Sequence, residues 1–127
     1  MYKIEIEPRI FHFKQPAGTS RGVYTERKSW LLTLTSDSMP GRKGVGECAP
    51  LPDLSCDATP EYEKTLNAVC ERFCQEGVIN YQMLRPYPSI LFGLETALLN
   101  LERGDILFDT PFSRGEEGIN IHGLVWL

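Results

Sequence analysis

The side chains in this 127-residue chain best suited to chemistry are two histidines, four cysteines and one glycine-rich acidic stretch. Spacing joins none of them into a catalytic set. His12 sits between Phe11 and Phe13, and His122 sits in an apolar run at the other end. A general base needs a placed partner, which neither has, so both read as face-alternating or exposed histidines. Cys70 and Cys74 are four apart on a predicted helix, but neither Cys-x-x-Cys spacing nor a nearby histidine completes a tetrahedral zinc set. Cys70 instead reads as a small hydrophobe on that helix's apolar stripe. The stretch Gly44-Val45-Gly46-Glu47-Cys48-Ala49-Pro50 resembles a phosphate loop only superficially, because it lacks the third glycine, the lysine and a following helix. Its glycines predict close backbone approach within a strand that Pro50 and Pro52 terminate. A nucleophile elbow is absent as well.

Charge narrows the partner classes. The net charge is -4, and no basic stripe is present to meet phosphates or anionic lipid headgroups, which argues against nucleic-acid and membrane partners. The opening residues, Met1-Tyr2-Lys3-Ile4-Glu5-Ile6-Glu7, alternate charge with apolar side chains and cannot form the hydrophobic region of an export signal. No window approaches the length of a membrane span. The expected location is the cytoplasm, where free thiols are the default state of Cys48, Cys56, Cys70 and Cys74.

The elements that must position any site divide the chain into a strand-rich first third, a helical middle and a strand-like end. Tyr2, Ile4 and Ile6 alternate with Lys3, Glu5 and Glu7, the period of a half-buried strand, which Ile10, Phe11 and Phe13 can continue past Pro8. Pro8 implies an edge or a bulge. Residues 15–22, rich in small side chains, are expected to form a loop. Residues 29–35 form a second expected strand with Trp30, Leu32 and Leu34 on one face, and a third runs from Lys43 to Cys48. The turn-forming residues 36–42 make an antiparallel meander the economical pairing.

Helix signals follow. Thr59-Pro60-Glu61 offers a hydroxyl cap, a proline at the first helical position and an acid in the first turn. Tyr62, Leu66, Val69, Cys70 and Phe73 then share a face, and Gly77 provides a left-handed stop. A second helix is expected from near Ser89 through Ile90, Leu91, Leu94, Ala97, Leu98 and Leu101 to Gly104. Its apolar face is broad, so it should be the most buried element. Gly93 inside it costs about 1 kcal/mol relative to alanine, which implies close packing as compensation. The fold class is therefore α+β, a three-stranded antiparallel meander followed by a helical part.

Residues 119–127 form an apolar, strand-like run with no turn or polar tail. An unpaired strand exposes backbone donors and acceptors, so this run is expected to be the first strand of a second domain. The expected division is 1–118 and 119–127. Unpartnered, the run could also pair with another copy of the chain.

Three motifs in order carry a resemblance: Gly44-x-Gly46-Glu47-x-x-Pro50, then Pro88-Ser89-Ile90-Leu91-Phe92-Gly93-Leu94-Glu95-Thr96-Ala97-Leu98, then Ile121-His122-Gly123-Leu124-Val125. Nearly the whole chain resembles the amino-terminal capping part of the enolase superfamily. Within it the nearest likeness is to the o-succinylbenzoate synthases, the dehydratases of menaquinone biosynthesis. Dipeptide epimerases, N-acylamino-acid racemases and muconate-type cycloisomerases are similar in the same region.

The resemblance implies a two-part enzyme. An α+β cap covers a modified (β/α)-barrel whose lysines act as acid and base and whose carboxylates bind Mg²⁺. Those residues fall outside this chain, so no catalytic residue and no metal ligand is expected within it. The implied reaction removes a proton next to a carboxylate, with the metal stabilising the enediolate, and then loses water. Two cap loops would enclose a small carboxylate substrate. They correspond to Thr19, Ser20, Arg21 and Gly22, and to the segment after Pro50 with Leu51 and Leu54. Arg21 would face the anion, and Leu51 and Leu54 the apolar side. The family commonly has Asn-Gly in its first barrel strand where this chain has His122-Gly123. The alternative from another class is a self-sufficient α+β interaction domain without catalysis.

Overall fold

The structure is a computed structural model that describes residues 1–121 and Gly123. Its first half is an antiparallel sheet in the order β1-β2-β3, with β1 spanning Tyr2–Thr19, β2 Gly22–Ser36 and β3 Gly44–Cys48. Three helices follow: α1 over Tyr62–Glu76, a single turn α2 over Tyr81–Leu84, and α3 over Pro88–Arg103. The expected α+β meander with a helical second half is the observed architecture. Ile119, Asn120 and Ile121 are exposed and outside regular structure, and the rest of the expected terminal strand, His122 and Leu124 to Leu127, lies outside the described residues.

The helices cover one face of the sheet. Trp30, Leu32 and Leu34 of β2 point into that layer and are buried, together with Leu66, Phe73, Ile90, Leu94, Ala97 and Leu101. Two aromatic contacts join the layers: Tyr2 against Phe73 at 5.0 Å and Trp30 against Tyr62 at 4.7 Å between ring centroids. The stripe Tyr62, Leu66, Val69, Cys70 and Phe73 is the buried face of α1, as its periodicity demands. Helix α3 carries Ile90, Gly93, Leu94, Ala97 and Leu101 inward, with Leu91 and Leu98 half-buried beside them.

Glycine sets the spacing between β3 and α3. A methyl group on Gly46 would overlap the Gly93 carbonyl, one on Gly44 would overlap that of Ala97, and one on Gly93 would meet the Cys48 sulfur. The loss of helix propensity at Gly93 is thus offset by backbone contact that no other residue permits.

Three features differ from the sequence expectation. Residues 15–22 are not a loop, because β1 continues to Thr19 and β2 begins at Gly22, leaving Ser20 and Arg21 as the turn. The pairing resumes after a register shift between His12 and Ala17, while Pro8, where an edge or a bulge is expected, does lie on the edge strand, opposite Trp30. The second strand accordingly starts seven residues before Ser29, at Gly22. Thr59 and Pro60 do not start α1. They form a tight turn closed by the Tyr62 amide donating to the Thr59 carbonyl at 3.1 Å, and no side chain caps the helix. Pro88, by contrast, occupies the first turn of α3, where its missing N–H is harmless. Gly77, at φ 70°, ends α1 as expected.

Candidate functional site

Beyond the helical layer the β1–β2 hairpin projects as a free ribbon. Its inward face passes from the core to a cavity of about 400 Å³, lined on the hairpin by Phe13, Thr19, Ser20, Arg21, Tyr24 and Arg27 and on the opposite side by Leu51, Pro52 and Leu54. Thr19, Ser20, Arg21, Leu51 and Leu54 are thereby brought to one concavity from segments about thirty residues apart. Gly22 does not line it. Its φ of +148°, rarely adopted by residues with side chains, instead lets the chain leave the turn and re-enter pairing opposite Thr19.

The turn is held by Thr19, whose hydroxyl donates to the Gly22 carbonyl at 3.1 Å and accepts from the Arg21 amide at 3.2 Å. Arg21 then reaches across: its Nη1 donates to the Asp53 carbonyl at 2.9 Å. The Tyr24 hydroxyl donates to Oδ2 of the same Asp53 at 3.0 Å. Exposed as it is, Tyr24 has its pKa raised above the usual phenol value by partial desolvation and by the Asp53 carboxylate that holds its proton.

The opposite side is a small folded unit. The Ser55 amide donates to the Leu51 carbonyl at 2.9 Å, and the Leu51 amide donates to Oγ of Ser55, also at 2.9 Å. Asp53 takes the left-handed conformation at φ 62°, which aspartate tolerates better than most residues. Arg27 holds one end of this segment by donating to the carbonyls of Ala49 and Pro50. Asp57 holds the other end. Buried at 1% exposure, its Oδ2 accepts from the Ser89 amide at 2.9 Å and the Ser89 hydroxyl at 2.6 Å. Ser89 Oγ has spent its only proton on Asp57, so the Tyr62 hydroxyl is the donor in their 2.7 Å contact. The first turn of α3 is thus capped by a side chain from the loop rather than from its own N-terminus.

Tyr24, Arg27, Asp53 and Asp57 escaped sequence reasoning. The only signal available was alternation, since Tyr24 and Glu26 continue the Trp30, Leu32, Leu34 face of β2 and both line the cavity.

What the cavity can do is bind. It offers two guanidiniums against the single carboxylate of Glu26, two aliphatic hydroxyls and a tyrosine, beside leucine and phenylalanine side chains, a mixture suited to a small molecule with one anionic and one apolar end. Among the described residues no group of three or more His, Cys, Asp or Glu could hold a metal ion, so these residues do not fit a Mg²⁺ site. Nor is any helix among the described residues long and apolar enough to cross a membrane.

Residues 11–101 match the family described as MenC, N-terminal domain. The o-succinylbenzoate synthase of Desulfotalea psychrophila is 30% identical in an alignment covering 91% of this chain and 39% of that protein. The chain therefore spans about two fifths of the length of that curated relative. Among solved structures, MenC from Desulfotalea psychrophila superposes with a TM-score of 0.67 at 22% identity, over 99% of this chain and 42% of that one. An enolase family member from Agrobacterium tumefaciens with homology to dipeptide epimerases gives 0.62 at 20% identity, over 80% and 30%. The o-succinylbenzoate synthase from Thermosynechococcus elongatus, complexed with magnesium in its active site, gives 0.52 at 24%, over 80% and 30%. At these identities the superpositions establish the shared fold.

Proposed function

The chain belongs to the family of MenC N-terminal domains, and from that membership we propose that it is the capping part of an o-succinylbenzoate synthase-like dehydratase of menaquinone biosynthesis. Residues 1–118 form the cap in this proposal, and 119–127 begin the barrel that carries the acid–base lysines and the Mg²⁺ ligands. The cap encloses a small carboxylate substrate over the barrel's site and is inactive alone.

The cavity between the hairpin tip and the 51–54 segment is the observation that supports this role. Arg21 binds the substrate's carboxylate by charge and hydrogen bonding, Ser20 supplies a neutral donor beside it, and Thr19 holds the turn that presents both. Leu51 and Leu54, 46% and 58% exposed, form the apolar wall and gain burial when substrate and barrel close the site. Excluding water strengthens each polar contact inside. No step of bond breaking is assigned to residues of this chain.

Two measurements test the proposal. The purified 127-residue chain, supplied with Mg²⁺ and the pathway's cyclohexadiene carboxylate, is expected to give no dehydration above background. Turnover would overturn the assignment of chemistry to the barrel. In a chain that includes the barrel, Arg21→Ala is expected to raise KM several-fold and leave the metal requirement unaltered; an unchanged KM would remove Arg21 from substrate binding.

A further inference from the structure

We infer that Tyr24 and Asp53 are positioning residues forming a latch, which closes the 51–55 turn over the cavity and holds the Arg21 guanidinium at its rim. The inference rests on the proposal that the cavity takes a small carboxylate, and it assigns to that site the device that sets its closure.

Asp53 makes two contacts at once. Its carboxylate accepts from Tyr24 at 3.0 Å while its carbonyl accepts from Arg21 at 2.9 Å. The left-handed backbone at Asp53 sends carbonyl and carboxylate toward the same hairpin. Tyr24 fixes the side chain, and the fixed residue then offers Arg21 its carbonyl. The turn can move as a unit, because its internal bonds run between Leu51 and Ser55 and its anchors lie outside it, at Arg27 on one side and Asp57 on the other. Between those anchors, the latch is what joins the turn to the hairpin tip. The groups that face Tyr24 are Asp53, Arg21 and Thr19, and the phenol pKa is raised by partial desolvation together with the Asp53 contact.

The arrangement also separates two tasks in one arginine. Nη1 is committed to Asp53, which points the planar guanidinium and leaves its other donors for an incoming carboxylate. Ordering the guanidinium beforehand removes part of the entropy loss on binding.

Limited tryptic scission of the Arg21–Gly22 bond in the 127-residue chain tests the latch, with the Arg114–Gly115 bond as internal standard. Trypsin must draw the arginine side chain into its pocket, so the latch protects the bond. Tyr24→Phe and Asp53→Ala are each expected to raise the ratio of the two rates at least threefold. Asp53→Asn, whose amide oxygen still accepts from Tyr24, is expected to retain the parent ratio, while carbon-13 NMR of labelled tyrosine shows the Tyr24 titration midpoint moving down. A general loss of fold is recognised separately, by scission after Lys64 and Arg72 within α1, which the latch does not touch. An unchanged ratio in Tyr24→Phe, or equal ratios in Asp53→Asn and Asp53→Ala, would overturn the latch. Millimolar succinate separates this from the underlying reading. If succinate fails to protect Arg21–Gly22 while Tyr24→Phe still accelerates it, the anion site fails and the latch stands. Protection by succinate with no effect of Tyr24→Phe means the reverse.

Discussion

Gly46 of β3 lies so close against the carbonyl of Gly93 in α3 that it has no room for a methyl group, and Gly93 is hemmed in turn by the Cys48 sulfur. This contact fixes the distance between the sheet and its principal helix. Gly46→Ala must push the helix outward or distort the strand, and overpacking of this kind costs about 1–3 kcal/mol. Chemical denaturation should show a lower midpoint at unchanged slope. Gly18→Ala, where the added carbon meets nothing within 4 Å, should leave the midpoint in place.

Asp57 should be the most sensitive polar residue in the chain. Removing its carboxylate in Asp57→Ala leaves the Ser89 amide and hydroxyl without their buried acceptor and releases the loop from α3. The expected loss is about 1–3 kcal/mol, combining a lost cap with an unsatisfied donor. A denaturation midpoint within error of the parent would refute this account of the cap.

Arg27 has a more local effect. Arg27→Ala leaves the carbonyls of half-buried Ala49 and buried Pro50 without their guanidinium donors. The expected loss of global stability is about 1–3 kcal/mol, the cost of leaving buried acceptors unpaired. Hydrogen exchange by mass spectrometry should show faster exchange over residues 49–55, with α1 unaltered.

The thiols should separate by burial. Cys48 and Cys70 are buried, and desolvation pushes each thiol up from 9.0 to about 12. At pH 8 they are expected to resist a disulfide reagent that reacts promptly with exposed Cys56, with half-buried Cys74 in between. The same shifts predict alkaline instability. Below pH 9 thiols are protonated in folded and unfolded chains alike, so the fold keeps its full stability. Between pH 9 and 12 the unfolded chain releases protons that the folded one retains, and stability falls as pH rises. The phenol of Tyr62, also raised by burial, adds to the trend. A denaturation midpoint constant from pH 8 to 11 would contradict it.

The core was legible in the sequence because periodicity records burial. The stripe of α1, the inward face of β2 and the glycines at 44, 46 and 93 each carry their packing environment in residue type. Where pairing rather than burial sets structure, the signal was lost. Residues 15–19 contain Pro16 and Gly18 and look like a loop, yet they extend β1 because β2 supplies partners for Ala17, Gly18 and Thr19 once pairing resumes. Thr59 and Pro60 carry every local sign of a helix start, but the chain there is occupied with leaving Asp57, and the helix waits for Tyr62. The site shows the same division. Thr19, Ser20, Arg21, Leu51 and Leu54 were found through likeness to a family, whereas Tyr24, Arg27, Asp53 and Asp57 act through contacts 22 to 32 residues away that no local pattern encodes.

The nine residues from Ala49 to Asp57 are clipped at both ends, by Arg27 and by Ser89, and the clips do not depend on what lies between them. This makes the interval an exchangeable cassette. Side chains at 51 to 54, and even its length, can change with little strain on the sheet or on α3. The lining of the cavity can thus be varied by drift in a few codons, with the framework of sheet and helices left untouched.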